Sequence, residues 1–332
     1  MLFDSMDFHM ISKHQKPVGS GFGAKSEPAE VMAGIDLSGK TAVVTGGYSG
    51  IGTETSRALV DAGCDVYIPA RRTDVAAKEL EGIVLEKNIV EIDLANPKSV
   101  QTFVDDFSDQ TSKLDILINN AGVMACPEMR TPEGWELQFA VNQIGHFVLT
   151  KGLLPLMQAA EGSRLVTLSS TGHKISGIRW DDIHFNDSEY EKWAAYGQSK
   201  TAASLLAVEV DMRMKDRGIR AFGVHPGGIM TPLQRHLEQE EMVALGWMDK
   251  DGQPTERVAK MFKSAAQGAS TSLWAATSPQ LDGIGGVYCE NCDVAKRQDD
   301  SDKNARFIGV ADWAVDSEEA SRLWDETERI LR

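Results

Sequence analysis

Several features are scarce in this sequence of 332 residues, and each scarcity excludes a class of protein. Four cysteines are too few for a disulfide framework. No stretch approaches the roughly 18–20 uninterrupted apolar residues of a membrane-spanning helix, so no membrane span is predicted. The N-terminal residues 1–17 contain no apolar segment of about 7–15 residues, so no secretory signal is visible and we expect a cytoplasmic protein.

Positive charge is also in short supply. Lys and Arg number 34 against 49 Asp and Glu, which gives a net charge of −15. This charge opposes a phosphate backbone, so no nucleic-acid partner is predicted. A small anionic cofactor can still bind, because a local pocket can act against the global field.

From residue 39 onward, short β-rich runs alternate with helical segments. The predicted strands are 41–45, 65–70, 89–92, 114–118, 164–168, 219–224 and 286–288. The predicted helices are 51–62, 97–107, 134–160, 194–217, 255–276 and 317–331. This alternation predicts an α/β fold with a mostly parallel, Rossmann-like doubly wound sheet. We expect one domain over 37–298, an N-terminal extension over 1–36 and a C-terminal extension with a helix over 299–332.

A glycine-rich turn follows the first predicted strand. Gly46, Gly50 and Gly52 stand between strand 41–45 and the next helix. A strand, a tight turn and a helix N-terminus form an anion site, and glycine lets the backbone approach a pyrophosphate. A plain turn with small residues for packing would look similar.

The end of the second predicted strand discriminates between nicotinamide cofactors. An acidic residue there would bind the ribose hydroxyl of NAD, whereas arginine suits the 2′-phosphate of NADP. The strand is followed by Arg71 and Arg72 and by no acid, so NADP(H) is predicted over NAD(H). The alternative is that both arginines are solvated surface charges.

Tyr196 and Lys200 stand four residues apart on a predicted helix, which places both on one face. A nearby cation favours phenolate and lowers the pKa of tyrosine, which makes it a better base near neutrality. The spacing alone also fits a surface pair. Asn119, Ser170 and His225 end predicted strands, and so lie at the edge where open α/β sheets bind ligands.

Taken together, the sequence resembles the classical type of short-chain dehydrogenase/reductase over about residues 38–290. The resemblance rests on matching motifs at 45–52, 93–94, 119–122, Asn142, 169–170, Tyr196-x-x-x-Lys200 and 226–231. It implies that Tyr196 is the general acid/base, that Lys200 lowers its pKa and binds the nicotinamide ribose, that Ser170 polarises the substrate carbonyl, and that Asn142 holds a water. It further implies cofactor contacts from Thr45, Gly46, Ser49, Gly50, Ile51, Gly52, Asp93, Leu94, Asn119, Ala121, Gly122, Tyr196, Lys200, Pro226, Gly227, Ile229 and Thr231.

A branch of this family is indicated by two segments. Tyr196 follows Ser170 by 26 residues, which is wider than the usual spacing in the classical group. The inserted segment includes residues 178–184. Together with residues 141–147, the insertion is similar to the retinol dehydrogenase and WW-domain oxidoreductase branch. The resemblance implies an alcohol dehydrogenase or carbonyl reductase acting on hydrophobic alcohols, aldehydes or ketones. It also implies a homodimer or homotetramer, formed through helices 134–160 and 194–217.

Substrate contacts are harder to predict. Met124, His173, Tyr190 and Trp193 could line an apolar cleft, and core or surface packing fits each of them as well. Cys289 and Cys292 have a Cys-x-x-Cys spacing without a second pair, so a structural role is favoured and no metal site is predicted.

Two other functions compete with a dehydrogenase. One is a catalytically silent NADP-binding regulator or scaffold of the same fold, against which the complete set Asn142, Ser170, Tyr196 and Lys200 argues. The other is an epimerase or dehydratase acting on a nucleotide sugar, for which the chain after Thr231 is short.

Overall fold

A central sheet of eight strands organises the computed structural model, which describes residues 11–303 and 305–332. The strands are β1 Thr41–Val44, β2 Asp65–Ala70, β3 Ile89–Glu91, β4 Ile116–Asn119, β5 Arg164–Leu168, β6 Arg220–His225, β7 Val287–Glu290 and β8 Asp293–Val294. Their order is β3-β2-β1-β4-β5-β6-β7-β8, parallel throughout except for the antiparallel pair β7–β8. The predicted α/β class and the doubly wound sheet are therefore confirmed.

Helices cover both faces of the sheet. They are α1 Pro28–Val31, α2 Ile51–Asp61, α3 Thr73–Glu79, α4 Pro97–Gln110, α5 Leu137–Phe139, α6 His146–Gln158, α7 Lys192–Met214, α8 Gln239–Ala244, α9 Glu256–Met261, α10 Ala265–Thr277 and α11 Ser317–Ile330. Side chains of a strand alternate between its faces. Ala42 and Val44 accordingly pack with α2 and α10, whereas Val43 packs in the cluster that includes α4, α6 and α7.

The chain reverses its winding direction at the adjacent strands β1 and β4. Successive connections from β1 run to one edge of the sheet, and those from β4 run to the other. Loops that leave the carboxyl ends of β1 and β4 therefore diverge and leave a crevice between them, as in other open α/β sheets.

Two predicted helices are interrupted in the structure. The segment 134–160 consists of α5, a π-helical turn over Ala140–Gly145, and α6. The segment 255–276 is broken between α9 and α10, because Phe262 adopts an extended backbone and Ser264 starts a new helix. Ser264 and Gln267 form a reciprocal capping box there, a signal that is readable in the sequence.

The spacing of Cys289 and Cys292 follows from a tight hairpin. Strands β7 and β8 pair Glu290 with Asp293, which leaves only Asn291 and Cys292 in the turn. Both turn residues have positive φ values, +52° and +58°, as a two-residue type I′ turn requires. Both cysteines are buried and free, and no group of three or more His, Cys, Asp or Glu within the described chain could hold a metal ion.

The described part of the N-terminal extension lies against the β7–β8 edge of the sheet. The Gln15 side chain donates to the carbonyls of Tyr288 and Ala295 and accepts from the Tyr288 amide. The Asp293 carboxylate accepts from the amides of residues 18–20. The edge strands are thereby protected from pairing with another chain.

The C-terminal helix α11 covers α6 and α7. The ring of Trp324 packs edge-on against Phe147 at 4.7 Å between centroids. Glu328 accepts from Lys151 at 2.6 Å, and Ser321 donates to Glu209 at 2.8 Å. Within one chain, α11 thus occupies part of the face through which we expected homo-oligomers to form.

Among the described residues, no helix combines the length and the apolar character that crossing a membrane would require.

Candidate active site

The crevice has a volume of about 420 Å³ and extends from the end of β2, past the glycine turn, to the segment 231–235 and Trp247. Of the residues predicted to bind the cofactor or to act in catalysis, most line it: Gly46, Ser49, Gly50, Ile51, Arg71, Arg72, Asp93, Leu94, Ala121, Gly122, Ser170, Tyr196, Lys200, Pro226, Gly227, Ile229 and Thr231. The structure therefore brings together residues that are spread over more than 180 positions of the chain.

The glycine turn forms one wall of the crevice. Gly46 and Gly50 have φ values of +62° and +55°, and a residue with a side chain would be strained in this backbone conformation. A Cβ added to Gly52 would lie 2.2 Å from the Gly46 carbonyl oxygen, so the turn packs tightly on the start of α2. The exposed amides and the helix N-terminus suit a pyrophosphate, so the residues present fit a dinucleotide.

Three predicted cofactor contacts lie behind this wall rather than on it. Thr45 is fully buried, and its Oγ1 accepts from the amides of Asn120 and Ala121 at 2.9 and 3.0 Å. The Asn119 side chain donates to Thr150, and Gly52 packs under Gly46. These three residues therefore support the loops that line the crevice and do not line it themselves.

Arg71 and Arg72 stand at one end of the crevice, and both are exposed. Neither forms an ion pair with any residue in the described part of the chain. Asp93 lies nearby, with its carboxylate accepting from the Ala95 amide at 3.0 Å. Two free guanidinium groups at this end fit a phosphate on an adenosine ribose.

Tyr196, Lys200 and Ser170 meet at the other end. Tyr196 and Lys200 lie one turn apart on α7 and are 4% and 5% exposed. Burial raises the pKa of Tyr196 to about 12, although a hydrogen bond with the Ser170 side chain lowers it in part. Burial lowers the pKa of Lys200 to about 8. The direction for Tyr196 is the reverse of the sequence-based expectation, because removal from water outweighs the influence of the ammonium group.

Asn142 lies in the π-helical turn, a distortion that often marks functional positions. Its amide bonds both backbone groups of Val123 at 2.9 Å and donates to the Ser199 hydroxyl. A Cβ added to Gly122 would lie 3.1 Å from Asn142 Oδ1 and 3.5 Å from Lys200 Nζ. The side chains of Asn142 and Lys200 therefore both lie next to Gly122. The predicted water-holding role of Asn142 remains a prediction.

His146 is a supporting residue to which the sequence analysis assigned no role. Its Nε2 lies 2.9 Å from Thr45 Oγ1, and its Nδ1 lies 3.2 Å from the Asn142 carbonyl oxygen. Thr45 already accepts from two amides, so its hydroxyl proton points to His146 Nε2 and the ring donates from Nδ1. The ring thereby joins the glycine turn to the π-helical turn. The one sequence feature that could have pointed to His146 is its place in the 141–147 motif.

The loop after β6 closes the crevice on its third side. Gly227 has a φ of +110°, and a Cβ there would lie 2.7 Å from Lys263 Cε. The helix break at Phe262 lets the Lys263 amide donate to the Gly228 carbonyl at 2.8 Å. Thr231 caps the following turn through Gln234.

An apolar cluster surrounds the outer end of the site beside Tyr196. Met124 lines the crevice, and Trp193 packs edge-on against Tyr196 and Trp247. Trp247 and Phe262 line the crevice as well, and neither was predicted. Their positions depend on the fold of the segment after residue 231, which has no strong periodicity.

Three of the predicted substrate residues, His173, Tyr190 and Trp193, are not among the residues that line the crevice, although Trp193 packs beside it against Tyr196. His173 is fully buried and bonds the backbone of Ser170 and Ala311. The hydroxyl of Tyr190 bonds the buried side chains of Gln138 and Glu136. His173 and Tyr190 thus show interior packing, the alternative that the sequence left open, because polar groups buried in the interior must find partners there.

Comparison with known proteins places these observations in a family. The family model described as short chain dehydrogenase matches residues 40–242. Short-chain dehydrogenase/reductase prx1 of Penicillium roqueforti is 36% identical over 302 residues, which cover 89% of this chain and 86% of that protein. Retinol dehydrogenase 12 of Mus musculus is 34% identical over 302 residues, which cover 90% of this chain and 88% of that protein.

Solved structures are similar as well. A crystal structure of a protein from Mycobacterium Paratuberculosis has a TM-score of 0.67 and 29% identity, covering 90% of this chain and 96% of its own. The RhlG/NADP active-site complex of Pseudomonas aeruginosa has a TM-score of 0.56 over 77% of this chain and 96% of its own. At 24% identity, the latter similarity concerns the fold alone.

Proposed function

Because the chain belongs to the short-chain dehydrogenase/reductase family and is an oxidoreductase, we propose that it uses NADP(H) to interconvert a hydrophobic alcohol and its ketone or aldehyde. The observation that carries this proposal is the convergence of Ser170, Tyr196 and Lys200 at one end of a glycine-lined crevice. A pair of free arginines stands at the other end of the same crevice.

The cofactor preference is supported by charge. Arg71 and Arg72 are exposed, unpaired within the described chain, and line the crevice at the end of β2, where an adenosine ribose would lie. A planar guanidinium can bind a phosphate through two parallel hydrogen bonds. Both arginines would hold the 2′-phosphate, and the amides of the glycine turn would hold the pyrophosphate.

The bound cofactor would supply a hydride as NADPH or accept one as NADP⁺. The residues of this chain handle the substrate oxygen and its proton. The Tyr196 hydroxyl is the acid that donates a proton to the oxygen during reduction. Burial raises its pKa to about 12, so the hydroxyl is protonated near neutral pH. The Ser170 hydroxyl donates a hydrogen bond to the same oxygen and stabilises its developing charge. The Lys200 ammonium stabilises the phenolate that remains on Tyr196.

A hydrophobic substrate is supported by the surroundings of Tyr196. Met124, Trp193, Leu237 and Trp247 form an apolar cluster with the Tyr196 ring. Such a surface buries apolar area of a substrate, which contributes about 25 cal/mol per Å². Relatives named retinol dehydrogenase support the same class of substrate.

A panel assay tests the proposal against a silent regulator. NADPH oxidation is followed by its absorbance with hexanal, decanal, benzaldehyde and acetophenone, and NADPH binding is measured separately by fluorescence. We expect turnover with at least one apolar carbonyl. Tight NADPH binding without turnover of any of them would instead favour the regulator or scaffold.

We also propose a cytoplasmic location. The four cysteines are buried and free, which fits a reducing compartment. Microscopy of the chain fused to a fluorescent protein tests this location. A homodimer or homotetramer remains a prediction, to be tested by light scattering.

A further inference from the structure

The turn that carries the Ser170 hydroxyl also packs on the ring of Tyr196. Ser170 precedes a 3-10 turn over Thr171–Lys174, and its Oγ accepts from the Gly172 amide at 3.0 Å. A Cβ added to Gly172 would lie 2.8 Å from Cε1 of Tyr196, so the turn packs directly on that ring. A shift of this turn would therefore move the Ser170 hydroxyl relative to the Tyr196 hydroxyl.

The ring of His173, which belongs to this turn, hydrogen-bonds both Ser170 and Ala311. The amide of Ala311 donates to Nε2 of His173 at 3.0 Å. Because an amide can only donate, Nε2 is the unprotonated nitrogen and Nδ1 carries the proton. Nδ1 lies 2.6 Å from the Ser170 carbonyl oxygen and donates to it. Burial lowers the pKa of His173 to about 4, so the ring remains neutral near pH 7.

The C-terminal extension supplies most of the remaining support. Lys174 Nζ donates to the carbonyls of Ala305 and Ile308 at 2.6 and 2.5 Å. Trp313 Nε1 donates to the His173 carbonyl at 3.1 Å. Residues 305–313 thus bond the serine turn at the Lys174 side chain and at the His173 carbonyl.

We propose that His173 is a positioning residue for Ser170, and that residues 305–313 of the C-terminal extension set the orientation of its ring through the Ala311 amide. The inference rests on the proposed function, since it requires that Ser170 bind the reacting oxygen. It assigns the C-terminal extension a part in catalysis that its distance in sequence does not suggest.

The Tyr288 hydroxyl lies 3.3 Å from the same Nδ1 of His173. Two conservative variants separate the bonds that the ring makes to Ser170 and to Ala311. In His173→Asn, the amide can replace Nδ1 as donor to Ser170, and the Ala311 partner is lost. In His173→Gln, the amide reaches the Nε2 position, and the Ser170 partner is lost. We expect His173→Gln to lower kcat about 10–100-fold, the scale of a misplacement of about 1 Å. His173→Asn keeps the bond to Ser170 but loses the Ala311 bond, so it should lower kcat about 3–10-fold, the value of one neutral hydrogen bond, and an unchanged kcat would overturn the part assigned to residues 305–313. The Kd for NADPH should change less than about 2-fold in both.

A double-mutant cycle with Ser170→Ala tests whether His173 acts through Ser170, with kcat measured for NADPH-dependent reduction of decanal. If it does, His173→Gln causes little further loss of kcat in the Ser170→Ala background, because coupled residues are not additive. An equal loss of kcat in both backgrounds would overturn the positioning role, as would wild-type kcat in His173→Gln. Wild-type kcat in Ser170→Ala itself would instead overturn the role of Ser170 in the proposed function.

Discussion

The Lys200 ammonium lies 5.7 Å from the centroid of the Tyr196 ring, and its hydrogen bond goes to the Leu168 carbonyl at 2.9 Å. The ammonium is therefore anchored to the end of β5 and adjoins the phenol without bonding it. Burial affects both groups, raising the pKa of Tyr196 to about 12 and lowering that of Lys200 to about 8. At neutral pH the site thus holds a protonated phenol beside a cation, the state that reduction of a carbonyl needs.

The pKa of Lys200 makes NADPH binding dependent on pH. Lys200 is charged below pH 8 and loses its charge as the pH rises through that value. NADPH is an anion, so its binding favours the charged form, and a pKa rise of about one unit on binding would lower affinity about tenfold above this range. Fluorescence titrations between pH 7 and 9.5 measure this, above the range where the 2′-phosphate itself titrates. A parallel decline in Lys200→Met would show that another group is responsible.

Removal of Arg71 or Arg72 should weaken the preference for NADPH. A hydrogen bond to a charged group contributes about 1.5–3 kcal/mol, so each alanine variant should raise the Kd for NADPH about 10–100-fold. The Kd for NADH should stay within about 3-fold, because NADH lacks the 2′-phosphate. Arg57→Ala is the matched control, since Arg57 is exposed on α2 and does not line the crevice. Equal losses for both cofactors, or NADH turning over as fast as NADPH in the unaltered protein, would contradict the assignment.

Much of the fold could be predicted because its signals are local. The alternation of β-rich runs and amphipathic segments depends on neighbouring residues, and the winding order follows from general rules for parallel sheets. The crevice residues could be predicted because strand ends of a parallel sheet converge, as Gly46, Ser170 and Pro226 do.

Long-range partners could not be predicted. From the sequence, His173 fits the substrate cleft and interior packing equally well, because nothing there reveals that Ala311, 138 positions away, supplies its partner. The amide bonds between Asn142 in the π-helical turn and Val123 join positions 19 residues apart, so the sequence does not reveal them. The rise in the pKa of Tyr196 likewise follows from burial, which the spacing of Tyr196 and Lys200 does not indicate.

Glu241 joins the segment over the substrate end to the start of α7. Its carboxylate bonds Lys192 at 2.6 Å and the Trp193 indole at 3.1 Å. Glu241→Ala should free α8 and raise the KM for decanal about 5-fold, because a partly exposed ion pair contributes about 1 kcal/mol. The kcat should change less than about 2-fold. Glu240→Ala, an exposed neighbour on α8, is the control. An unchanged KM in Glu241→Ala would show that this contact does not shape the substrate end.

Buried histidines should make the protein sensitive to acid. Burial lowers the pKa values of His146 and His173 to about 4, below the unfolded value of 6.5. Each therefore contributes stability above pH 6.5 that is lost as the pH falls through 4, roughly 3 kcal/mol per ring. Urea unfolding between pH 7 and 4 measures this loss, and His173→Gln should reduce its slope. The same slope in the variant would mean that His173 does not contribute.

The role of Tyr196 as the acid is tested most sharply by the turnover of Tyr196→Phe, which removes only the hydroxyl that donates the proton. We expect kcat for decanal reduction to fall by about 10²–10⁴, the range of general acid catalysis, while the Kd for NADPH stays within about 2-fold. The control is Tyr67→Phe, which alters a tyrosine of β2 whose ring packs against Phe107 of α4, and it should retain full activity. A folded Tyr196→Phe protein with the kcat of the unaltered enzyme would contradict the assignment of Tyr196 as the acid.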